Sequence, residues 1–123
     1  MNDQKTTLAE LREIVRQFVN ERDWRQFHSP KNLSMSLAIE AAELMEHFQW
    51  ITADESRAVA HDRDKLAAVG EEISDVLCYT LALANELELD LVTALRDKMV
   101  KNAQKYPAAE YRGRYGPECE EAG

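Results

Sequence analysis

The chain has 123 residues, 45% of them hydrophobic and 31% charged, which fits one folded domain with a core that needs no disulfides and excludes a disordered chain. Its formal charge of −8 argues against nucleic-acid polymers and anionic membrane surfaces as partners, since both call for a basic face. No stretch approaches the roughly 20 apolar residues of a membrane span, the N-terminus lacks a signal-peptide pattern, and Cys78 and Cys119 form no metal-ligand pair, so a cytoplasmic location is expected.

Hydrophobic periodicity predicts four helical segments and no strand of any length. The first runs from about Thr7 to Asp23, opened by a capping box in Thr7-Leu-Ala-Glu10. Residues 24 to 32, "WRQFHSPKN", break the pattern with Pro30 and read as a loop. The second helix covers about Leu33 to Ile51. Thr52-Ala-Asp-Glu55 offers another capping box and opens a third segment, with an interruption expected near His61 and its strongest part from about Asp64 to Glu88. Asp90 can cap the fourth helix, which ends before Pro107. Residues 108 to 123 are polar and broken by glycine and proline, and read as a mobile C-terminal tail. The expectation is an all-α protein, a four-helix bundle over residues 1 to 107 followed by that tail.

Polar groups fall at telling places on these helices. At about 100° per residue, Leu33, Leu37, Ala41, Leu44, Phe48 and Ile51 form one stripe of the second helix. Glu40, Glu43, His47 and Trp50 make a contiguous band along its edge, and Met35, Ile39, Ala42 and Met45 cover the opposite side. A helix apolar on two sides is either central within the monomer or buried by a second subunit. On the third segment Leu66, Val69, Ile73, Val76, Leu77, Thr80 and Ala84 make the expected core stripe, while Glu72, Asp75, Tyr79 and Glu86 project from a separate face. Glu72 and Asp75 repeat the three-residue offset of Glu40 and Glu43, so two pairs on neighbouring helices can converge four carboxylates. Glu71 with Asp75 is an alternative pair, but Glu71 rotates away from the Asp75/Tyr79 face, which favours Glu72. On the fourth helix, the stripe begun by Leu91 and Leu95 continues to Lys98, Asn102 and Lys105. It either leaves the core for solvent or faces an anion.

Clustered carboxylates need cations, because unpaired buried charge is costly. Hard oxygen donors suit Mg2+, with Mn2+ as a substitute. A di-iron bundle site expects Glu-x-x-His, whereas Glu43 is followed at the third place by Glu46 and Glu72 by Asp75. There is no nucleophile elbow and no glycine-rich phosphate loop. Metal-assisted hydrolysis at phosphorus, with Lys98 and Lys105 toward the phosphates, is the reaction type that fits. Trp24, Phe27 and His28 before the acidic helix, and Trp50 at its end, either stack on a nucleobase or anchor core and loop.

The segments "ERDWRQFHSPKNL", "EAAE" at 40 to 43, "ELMEHFQW", "EEISDVLCYTLALA" (with "EISD" at 72 to 75) and "KMVKNAQKYP" resemble, in this order, the all-α nucleotide pyrophosphohydrolases of the MazG-like family, dCTP pyrophosphatase branch. The resemblance covers roughly residues 15 to 107. It implies Mg2+-dependent hydrolysis of a nucleoside triphosphate to monophosphate and pyrophosphate, with dCTP or modified dCTP expected and a broader or different selectivity as the alternative. It implies Glu40, Glu43, Glu72 and Asp75 as metal ligands and catalytic residues, Trp24 and Trp50 beside the base, and Tyr79, Lys98 and Asn102 at phosphates or sugar. His28 matches the family's loop, and Lys105 rests on helix geometry. It further implies a homodimer or homotetramer with sites near subunit interfaces. Residues 52 to 65 depart from the family's pattern, which leaves base selectivity open. A non-catalytic, metal-binding helical module is the competing reading from another class.

Overall fold

The computed structural model describes residues 1–114, so the part of the expected tail beyond them lies outside the described residues. Among the described residues there are α-helices and 3-10 turns and no strand, as the periodicity predicts. The chain divides into two units, Met1–Glu88 and the segment from Leu89 on.

In the first unit, α1 spans Leu8–Glu21. Its capping box is complete: the Thr7 hydroxyl accepts from the Glu10 N–H at 3.2 Å, and the Glu10 carboxylate accepts from the Thr7 N–H at 2.9 Å. The helix ends in a Schellman motif, with Asp23 left-handed at φ 52°. The Trp24 N–H reaches the Val19 carbonyl at 3.0 Å and the Asp23 N–H that of Asn20 at 3.1 Å. That closure fixes where Trp24 leaves the helix. A 3-10 turn, Arg25–Phe27, follows.

Helix α2 spans Pro30–Glu46, so it starts earlier than expected and Pro30 opens it instead of breaking it. Proline is favoured at the first helical position, where its missing N–H has no partner to lose. The Ser29 hydroxyl caps the Asn32 N–H at 3.1 Å, and the Asn32 amide donates to the Phe27 carbonyl at 3.1 Å. The far end also differs, because α2 stops five residues short of Ile51. There the His47 N–H turns to Leu44 and the Phe48 N–H to Met45, at 3.2 and 2.9 Å. These three-residue bonds tighten and close the helix, leaving Trp50 on a turn.

Helix α3 is Ala53–Ala58, capped by Thr52, and a second 3-10 turn covers Val59–His61. The interruption near His61 is therefore present, and Asp62 caps α4, Arg63–Glu86, through the Lys65 N–H at 3.1 Å. Helices α1 and α2 both pack on α4. Leu33, Val59, Val69, Leu81, Ala82 and Ala84 are the buried core. The expected α4 stripe is only partly buried: Leu66, Ile73 and Leu77 stay about half exposed, because α4 turns its acidic edge toward α2. Across α1 and α4, the Arg12 guanidinium donates to the Asn85 side-chain oxygen at 2.9 Å, and the Asn85 amide returns a bond to the Arg12 carbonyl at 3.1 Å.

In the second unit, α5 spans Leu91–Lys105 and α6 Ala108–Tyr111. Asp90 holds the N-cap position of α5, where its carboxylate accepts from the Thr93 hydroxyl at 2.8 Å. Part of the expected tail is thus helical: Pro107 sets the start of α6, and the Tyr106 and Tyr111 rings meet edge to face at 5.2 Å.

Candidate functional site

Helical spacing of three and four puts Ser36, Glu40, Glu43 and His47 on one face of α2. Packing against α4 brings that face to Glu72. Carboxylate oxygens of Glu40, Glu43 and Glu72 lie within 4.8 Å of one another, close enough to hold one divalent metal ion. Glu40 Oε2 and Glu72 Oε2 are buried and have no hydrogen-bond partner. Buried polar atoms are ordinarily partnered, so two such orphans on members of one acidic cluster fit a cation-binding role. Of the two candidate residues on α4, Glu72 enters the cluster and the exposed Glu71 does not.

Asp75 is exposed and lies outside this three-carboxylate group, yet its charge is felt within it. Burial, then Glu43, Asp75 and Glu72, hold the Glu40 carboxyl above the usual carboxylate range. Glu72 is raised too, first by burial and then by Glu43 and Asp75, while His47, its Nε2 3.9 Å from Glu72 Oε1, pulls the other way. The Tyr79 phenol is likewise pushed up by burial and by Glu40, so it stays protonated as a donor. Burial and Asp75 raise the Cys78 thiol, which disfavours its thiolate form.

The aromatic candidates separate. Trp24 lies 6.3 Å from the half-buried His28 ring, with Phe18 edge-on at 5.6 Å and the Arg22 guanidinium 3.8 Å above the Phe18 ring. Trp50 is 87% exposed, and among the described residues it shares no ring contact with Trp24 or His28. In the second unit, Lys98 is exposed on α5 and the half-buried Asn102 points its amide at Met99 Sδ, 3.7 Å away. The Lys105 ammonium lies 5.3 Å from the Tyr106 ring.

Sequence reasoning left Ser36, Arg22 and Phe18 without a role. Ser36 is four residues before Glu40, which was the available signal. Arg22 and Phe18 meet the aromatics only through the Schellman turn, which no periodicity marks. His47 was placed in the acidic band but assigned nothing.

The MazG-like family model matches residues 35–115. The chain is 44% identical to dCTP pyrophosphatase 1 of Rattus norvegicus over 107 residues, covering 87% of this chain and 63% of the relative. Against dCTP pyrophosphatase 1 of Homo sapiens it is 44% identical over 102 residues, 83% of this chain and 60% of that one. The chain thus spans less than two thirds of the length of these relatives. A solved structure of a pyrophosphatase from Archaeoglobus fulgidus superimposes with a TM-score of 0.76 at 42% identity, covering 87% of this chain and 98% of that one. No helix among the described residues is long and apolar enough to cross a membrane.

Proposed function

The chain belongs to the MazG-like family, and from that premise we propose that it hydrolyses a nucleoside triphosphate to the monophosphate and pyrophosphate, using Mg2+ held by Glu40, Glu43 and Glu72 with Asp75 beside them. One observation carries the reading: three carboxylates meet where two of their oxygens are buried without partners. Helix packing alone gains nothing from that meeting, because like charges at this range repel. Mg2+ held by these carboxylates would supply charge neutralisation and Lewis acidity toward a triphosphate.

The chain's own residues do the rest. Glu40 and Glu43 on α2 and Glu72 on α4 supply hard oxygens from two packed helices, so the donor spacing is set by rigid elements. Tyr79, kept protonated, donates to a phosphate or sugar oxygen. Trp24, braced by Phe18 and accompanied by His28, offers a face for the base, and the exposed Trp50 indole offers a second. The 44% identity to dCTP pyrophosphatase 1 supports dCTP or a modified dCTP as substrate. Half-exposed Met35, Ile39 and Met45 on α2, with Ile73 on α4, support a homodimer or homotetramer. The sparse cysteine content supports a cytoplasmic location.

The test is incubation with Mg2+ and a panel of ribo- and deoxynucleoside triphosphates, with products separated by chromatography. Monophosphate and pyrophosphate in equal amounts, fastest from dCTP, is the expected result. Diphosphate and orthophosphate instead refutes the reaction, and a faster base other than cytosine refutes the substrate. No turnover with divalent-metal binding intact transfers the reading to a non-catalytic module.

A further inference from the structure

Glu72 is the member of the cluster that needs holding in place. It reaches from α4 toward two carboxylates on α2, and mutual repulsion opposes its place among them. Its two oxygens have different surroundings. Oε2 is buried and unpartnered, whereas Oε1 lies 3.9 Å from His47 Nε2. That is the ion-pair contact the structure gives Glu72, and both side chains are largely covered, at 33% exposed for His47 and 24% for Glu72. His47 caps the end of α2, four residues beyond Glu43, so the helix that carries two of the acids also carries the group that draws the third toward them. We propose that His47 is a positioning residue: its Nε2 holds Glu72 Oε1 and leaves Oε2 turned to the cation. The 3.9 Å gap is an ion-pair distance and exceeds a direct hydrogen bond. Hydrogen-bonded support of ligating carboxylates is a general feature of metal sites, and its loss typically costs about 10–100-fold in metal affinity.

The inference rests on the metal reading above, and the experiment separates the two. Mn2+ binding to the full chain, without nucleotide, is measured by electron paramagnetic resonance on chelator-treated wild type, His47→Leu, His47→Gln and Glu72→Gln, with circular dichroism as the check on folding. His47→Leu keeps bulk but has no N–H, and its Mn2+ affinity is expected to fall about tenfold. His47→Gln keeps a side-chain donor and recovers at least half of that loss on a logarithmic scale. A fall of less than about threefold in His47→Leu, or His47→Gln as weak as His47→Leu, overturns the positioning role. Should His47→Leu fail to fold, His47→Ala is read by the same thresholds. Mn2+ affinity indifferent to Glu72→Gln sinks the metal reading and this inference together. Sensitivity to Glu72→Gln with indifference at His47 sinks only the inference.

Discussion

Leu33→Ala tests whether α2 is held as the structure has it. Leu33 is 1% exposed and is the largest fully buried side chain. It lies four residues beyond the Ser29 cap and two helical turns before Glu40. The substitution removes three carbons, about 2.4 kcal/mol at ~0.8 kcal/mol per buried methylene. The residual cavity brings the loss to roughly 3 kcal/mol. For a chain of this length each kcal/mol moves the midpoint by about 4 °C, so Tm is expected to fall by about 12 °C. The assay is thermal unfolding followed by far-UV circular dichroism at one fixed protein concentration, in chelator. Below the transition, turnover per folded molecule stays near that of wild type, since no group facing the cluster has changed. A fall of less than about 3 °C contradicts the burial of Leu33 and the packing of α2 on α4.

Two further outcomes follow from the same geometry. Glu40 and Glu72 have folded pKa values above their ordinary 4.5, so the folded chain binds these protons more tightly than the unfolded one. Their contribution to stability is full below 4.5 and is lost as pH rises through the higher folded values. From acid toward neutral pH these two groups lower metal-free Tm, so the change in Tm is more negative in wild type than in a Glu40→Gln, Glu72→Gln double variant, and equal slopes refute the shifts. Asn85→Ala removes both bonds shared with Arg12 and the 3.3 Å contact from Arg16. It is expected to cost about 1–3 kcal/mol in urea unfolding, with Asn85→Asp, which keeps the acceptor, losing less; equal losses would count against the acceptor role.

Local chemistry made much of this fold readable. Thr7 with Glu10 and Thr52 with Glu55 are caps whose side chains announce a helix start, and both occur at their expected places. Ser29-Pro30 is an equally good start signal that reads as a break when proline is weighed without its position. The end of α2 was not legible, because its closing bonds involve no glycine or other stop residue. Trp50 was misplaced on the helix for that reason. Periodicity also misassigned Leu66, Ile73 and Leu77, since an apolar stripe states that a face is to be covered and not by what. The carboxylates were legible as pairs, through an offset that survives any small error in helix ends. Only packing shows that Glu40, Glu43 and Glu72 converge while Asp75 acts from outside them.

The acidic cluster is where the chain departs from the rules that organise the rest of it, and such departures concentrate at functional sites. Between α2 and α4, an apolar contact would stabilise the pair more than carboxylates that must take up protons or a cation. Elsewhere α4 carries the Arg12–Asn85 bonds, the Arg25–Glu86 ion pair at 3.5 Å and the buried Leu81, Ala82 and Ala84 toward its end. None of those contacts involves Glu40, Glu43 or Glu72. With the proposed cation bound there, the net charge of −8 would be compatible with an anionic substrate, because the cation would carry the attraction.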